Sequence, residues 1–127
     1  MEARTSGDEP SARAGFPRSR RLTRRAELDA VTRGGKRVRT AHLEVRAIAS
    51  LLGHPRIGFI VPKHKQTGVA RNRLKRRLRE IARTRLLPTL PSADVVVRAR
   101  PEAYRASFDE LRHELERAAV QVGRALA

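Results

Sequence analysis

The sequence predicts an α+β domain, a small α-β sandwich in the order helix, strands, helix, strand, helix. Short alternating or β-branched runs recur between residues 38 and 100, the signature of half-buried strands. Two longer stretches, about 68–86 and 107–126, carry apolar residues at helical spacing. A chain of 127 residues suits one domain with a modest core.

Residues 1–20 hold Gly, Pro and Ser with one large apolar side chain besides Met1, Phe16. Such a segment buries too little surface to offset its chain entropy, so it is expected to be a disordered tail, with the domain spanning 21–127. Its acids, Glu2, Asp8 and Glu9, argue against an organelle transit peptide, and no apolar stretch suits secretion. Thr23 is the expected N-cap of a first helix running to Arg33, with Gly34-Gly35 as its stop. From Val38 to Ser50 the chain alternates: Leu43, Val45 and Ala47 point one way, His42, Glu44 and Arg46 the other. Gly53-His54-Pro55 is a turn. Ile57–Val61 is a second strand stopped by Pro62.

The next helix begins at Gly68 or Val69 and ends near Leu86, before Pro88. On a helical wheel Leu74, Leu78 and Ile81 form a narrow apolar seam. Asn72, Arg76, Arg79 and Arg83 lie opposite, flanked by Arg73 and Lys75. Asp94–Arg100 is the third strand, and a strand–helix–strand unit across this helix implies a parallel pair. Ser107 with Glu110 makes a capping box for the last helix, whose stripe of Phe108, Leu111, Leu115, Ala119, Val122 and Leu126 reads as core.

The charge is concentrated. The chain carries 29 Lys and Arg against 13 Asp and Glu, a net +16. The whole excess lies in residues 21–100, and Lys63–Arg85 alone has ten basic residues and one acid. A basic face on folded elements, rather than a basic tail, points to a polyanion: nucleic acid first, an anionic membrane surface second. Arg suits phosphate because its planar fork donates two parallel hydrogen bonds, and Asn72 adds a donor and an acceptor. With four aromatic residues in the chain, base stacking is expected to contribute little.

Other chemistries find no support. The chain has no cysteine, hence no disulfide scaffold, thiol nucleophile or thiolate zinc site. It has no phosphate-binding G-x-x-x-x-G-K-[ST] loop and no apolar run of membrane-spanning length. The four histidines show no metal-ligand spacing. His64 between Lys63 and Lys65 is the one place where protein-borne acid–base cleavage of RNA could be sought. No catalytic side chain, protein-held metal or protein-held cofactor is expected.

Arg56-Ile57-Gly58-Phe59-Ile60-Val61-Pro62-Lys63, followed by Gly68-Val69-Ala70-Arg71-Asn72-Arg73-Leu74-Lys75-Arg76 and Arg79-Glu80, closely resembles the signature of the bacterial ribonuclease P protein component. A looser likeness runs from about Arg21 to Arg117. The resemblance implies the protein subunit of a cytoplasmic ribonucleoprotein endonuclease that removes the 5′ leader from precursor tRNA. It implies that the RNA subunit carries the catalysis with divalent metal ions such as Mg, and that the strand–helix–strand crossover is left-handed. The implied partners are the catalytic RNA and the precursor tRNA leader, with neither a membrane nor a protein partner. Carried over by position, the RNA-binding residues are Lys63, Lys65, Arg71, Asn72, Arg73, Lys75, Arg76 and Arg79. Leu28, Thr32 and Arg46 stand where the family lines a leader cleft, often with aromatic rings, so contact there falls to aliphatic Leu28 and to Arg46 on phosphate. Simple core packing is the competing reading for Leu28. The alternative function is a structural or ribosomal RNA-binding protein without a role in cleavage.

Overall fold

The computed structural model describes residues 16–126. Three α-helices and a four-stranded sheet form three layers. The elements are α1 (Arg25–Gly34), β1 (Lys36–Arg39), β2 (Leu43–Ala49), β3 (Arg56–Ile60), α2 (Gly68–Ile81), β4 (Ala93–Ala99) and α3 (Phe108–Leu126). The sheet order is β1-β2-β4-β3. β1 and β4 run antiparallel to β2, and β3 pairs parallel with β4, as the strand–helix–strand reading requires.

Each sheet face has its own core. Leu43, Val45 and Ala47 of β2 join Val95 and Val97 of β4 and the α2 seam in the main core. Leu111, Leu115 and Val122 close it from α3. On the other face Val96 packs with Leu22 and Val31, under α1, with Leu28 at the margin. At Gly58 the backbone passes so close to α1 that a Cβ would lie 2.5 Å from a methyl of Leu28 and 2.7 Å from the Leu22 carbonyl oxygen. Glycine is therefore required there by contact, not by its φ freedom.

Several expectations need correction. The predicted tail through residue 20 lies mostly outside the described residues, but its last five belong to the fold. Phe16 is 8% exposed and packs edge-on against Phe59, and Arg18–Arg20 form one 3₁₀ turn. The first helix starts later than Thr23 implied: its N-cap is Arg24, without a side-chain cap. The cause lies upstream, where Arg21 pairs with the β3 edge at Ile57 and the Leu22 N–H donates to the Ile57 carbonyl at 3.0 Å, holding the chain extended.

The alternating run 38–50 is two strands, not one. Residues 40–42 turn the chain back, and His42 sits in that turn. No Gly or Pro marks it; Thr40 does the work instead. Its hydroxyl donates to Glu114 Oε1 at 2.5 Å and accepts from the Leu43 N–H at 3.0 Å, while the His42 N–H donates to the same Glu114 oxygen at 3.0 Å. The α2 helix stops at Ile81 and continues as a wider π-type turn over Ala82–Leu86. The capping box at Ser107 forms as expected, with both reciprocal bonds present. Phe108, read as core, is 38% exposed, whereas Ala118 is buried.

Candidate nucleic-acid interface

The end of β3 launches α2. Two grips hold the junction: the Arg71 Nε–H donates to the Val61 carbonyl at 2.7 Å, and the Tyr104 hydroxyl donates to the Pro62 carbonyl at 2.6 Å. The loop then takes two consecutive left-handed residues, His64 (φ 48°) and Lys65 (φ 67°). Neither is glycine, so this sharp reversal stores backbone strain on the order of 1 kcal/mol per residue. It leaves Lys63 and Lys65 exposed beside the start of α2. Thr67 caps the helix by accepting the Ala70 N–H at 3.0 Å.

Three buried aliphatics, Leu74, Leu78 and Ile81, dock α2 as the seam predicted. Burying them fixes the rotation of the helix, and everything opposite follows. Asn72, Arg73, Arg76 and Arg79 are exposed. Among the described residues none of Lys63, Lys65, Arg73, Lys75, Arg76 and Arg79 has a carboxylate within ion-pair distance; the eleven resolved ion pairs lie elsewhere. Lys75 is half-buried. Burial first, then the neighbouring Arg71 and Arg79 charges, pull its ammonium below the usual lysine range. A surface of this kind is held in readiness for an anion: self-repulsion is tolerated and no internal partner quenches it.

Eight predicted RNA-binding residues thus share the β3–α2 junction and the outer side of α2, but their roles differ. Arg71 is turned inward to brace the strand end. Arg83, expected on the open face, is held by Glu80 at 2.7 Å. Arg77, outside the predicted set, is half-buried on the flank nearest Tyr104.

The three cleft residues lie on α1 and on the sheet face beneath it. Leu28 packs onto Gly58, which favours the core reading, and the Thr32 hydroxyl donates back to the Leu28 carbonyl at 2.8 Å. Arg46 lies on the same sheet face, paired across strands with Val96 and Arg37. Its Nε is buried without a hydrogen-bond partner, and its guanidinium stands 3.9 Å from Glu44. α1 is tied to the sheet by Arg56, which donates twice to Asp94 (2.9 and 2.8 Å) and once to Glu27 (3.1 Å). Hydrogen bonding to Asp94 leads the effects that raise the Arg56 pKa. Among the described residues no three His, Asp or Glu side chains converge as a metal site would need.

The family profile described as Ribonuclease P matches residues 16–123. The chain belongs to this family. Ribonuclease P protein components of known sequence agree with it closely. That of Syntrophobacter fumaroxidans is 44% identical over 88 residues, covering 67% of this chain and 72% of the relative. That of Acidothermus cellulolyticus is 39% identical over 104 residues, covering 80% and 87%. The RNase P protein of Thermotoga maritima superposes with a TM-score of 0.71 at 27% identity, covering 80% of this chain and 96% of its own. That of Staphylococcus aureus gives 0.73 at 23% identity, a likeness of fold. As a ribonuclease P protein the chain is the protein subunit of an endoribonuclease that acts in tRNA processing. The 16–123 match includes Phe16, which packs into the fold.

Proposed function

We propose that this ribonuclease P protein binds the catalytic RNA through the outer side of α2 and the 63–67 loop, and that it steers the 5′ leader of precursor tRNA. The observation that carries the reading is the α2 helix itself: three aliphatics bury one side and leave Arg73, Arg76 and Arg79 exposed and unpaired among the described residues. Lys63, Lys65, Asn72 and Lys75 extend that surface, and Arg71 shapes it by holding the Val61 carbonyl. The second contact is the sheet face beside α1. There Arg39 and Arg98, with Arg46 and Arg37 beside Glu44 on the same face by strand register, offer guanidinium groups to leader phosphates. Stacking on aromatic rings has no place in this contact, because Leu28 and Thr32 stand where rings would be needed.

In this reading the protein supplies positive potential and position. The divalent metal ions and the bond-breaking chemistry belong to the RNA subunit, and the complex works in the cytoplasm. Metal demand should fall when the protein is present, because the protein's cations offset phosphate repulsion. The test is reconstitution with the cognate catalytic RNA. Leader removal at low magnesium should be stimulated by this protein and lost at high salt. A folded Arg73→Ala/Arg76→Ala variant that assembles and cleaves like the parent at physiological salt would overturn the assignment.

A further inference from the structure

Phe108 opens α3 and is the most exposed of the aromatic rings in the described chain. Phe16 is buried, Phe59 packs against it, and Tyr104 is engaged with Pro62 and stands edge-on to His64. Phe108 faces instead a cleft of about 410 Å³ between the flank of α2 and the first turn of α3, lined by Arg73, Arg76, Arg77, Glu80 and Phe108. That volume falls in the range of small-ligand sites, roughly 300–1,000 Å³.

The electrostatics of this cleft are one-sided. Its single carboxylate, Glu80, is taken by Arg83 in a two-pronged contact at 2.7 and 3.3 Å. Of the acids next to Phe108, Asp109 is largely exposed 3.7 Å from Arg112, and Glu110 accepts the Ser107 N–H. None of the three arginines has a carboxylate partner among the described residues. An open π-face ringed by guanidinium groups matches a nucleotide: the ring takes a base, which every nucleotide offers, and the arginines take its phosphates. Arg73 and Arg76 also belong to the proposed RNA surface, so the cleft continues that surface around α2 onto α3.

We infer that Phe108, with Arg73, Arg76 and Arg77, forms a stacking subsite for one unpaired nucleotide of the RNA bound by α2. This rests on the RNA-binding reading above, and it assigns to α3 a contact with RNA as well as its place in the core.

The chain contains no tryptophan, so Phe108→Trp introduces a single reporter at the subsite. Its emission should be quenched on titration with the cognate catalytic RNA. Phe108→Leu keeps the aliphatic contact with the fold and removes the π-face. It should weaken RNA binding by about 5- to 150-fold, the range seen for losing one stacked base, without changing the salt slope. Lys63→Gln and Arg79→Gln, outside the cleft and measured alongside, report on the wider surface. If they weaken binding while Phe108→Leu binds like the parent and the Trp signal stays unmoved, the subsite is refuted and the α2 surface stands. If the Lys63 and Arg79 variants also bind unchanged, the RNA-binding reading itself fails. Quenching that tracks protein concentration without RNA would give the cleft to a second copy of the chain and overturn the proposal.

Discussion

Two halves of this molecule use the same charged residue, arginine, in opposite ways. Around α1, α3 and the sheet, several arginines are consumed internally. Arg56 clamps Asp94 and Glu27, Arg112 holds Glu116 at 3.0 Å, and Arg100 donates to the Thr40 and Ala41 carbonyls. On the exposed side of α2, Arg73, Arg76 and Arg79 find no acid among the described residues. The sorting is geometric. Acids stand where a guanidinium is oriented for the fold, and the one acid on the exposed side of α2, Glu80, is taken by Arg83. Positive charge alone therefore does not distinguish the two regions; neighbouring cations on one helix side without internal counter-ions do.

That contrast can be broken from either side. The largest effect is expected from neutralising the open side: Arg73→Gln/Arg76→Gln/Arg79→Gln should weaken binding of the catalytic RNA by about 100- to 1,000-fold at moderate salt and lower the log–log salt slope by about 2–3. Its melting temperature should hold or rise, since repulsion is relieved. An Arg56→Ala variant should do the reverse. Leaving Asp94 and Glu27 without their donor should cost about 2–3 kcal/mol in a denaturant titration, with RNA affinity of the folded fraction changed less than about twofold.

Glu114 sharpens the comparison through pH. Burial raises its pKa, but the hydrogen bonds from Thr40 and His42 outweigh this and hold the carboxyl below its ordinary 4.5. A carboxylate whose pKa is lower folded than unfolded stabilises fully above the unfolded value and loses that contribution as pH falls through the folded one. Glu114→Gln should thus cost about 1–2 kcal/mol near neutral pH, and the gap to the parent should close in acid below 4.5. Melting curves at pH 7 and pH 3 check it.

The smallest effect concerns Lys75, whose pKa is lowered in the free protein. Phosphate contact would raise it again, so binding takes up protons as pH climbs toward the ordinary lysine value, and affinity falls across that alkaline range. Lys75→Arg, which stays charged, should flatten the decline while changing neutral-pH affinity by no more than about threefold. Equal pH profiles would remove Lys75 from the interface.

Local pattern carried much of this protein. The seam Leu74–Leu78–Ile81, the alternation of Leu43, Val45 and Ala47, and the Ser107–Glu110 box each depend on neighbours within a turn or a few residues, and each stands in the fold as read. From the seam alone follows which side of α2 faces out, and so the placement of Arg76 and Arg79. Contacts distant in sequence decided the rest. The 40–42 turn is held by Glu114, 74 residues from Thr40, and no turn residue announces it. Phe16 leaves an otherwise polar segment because Phe59 offers it a partner. The Gly58 backbone claims Leu28 for the core by approaching it too closely for any side chain between them. Whether an arginine is spent or free depends on which acid folding brings beside it, and periodicity contains no record of that.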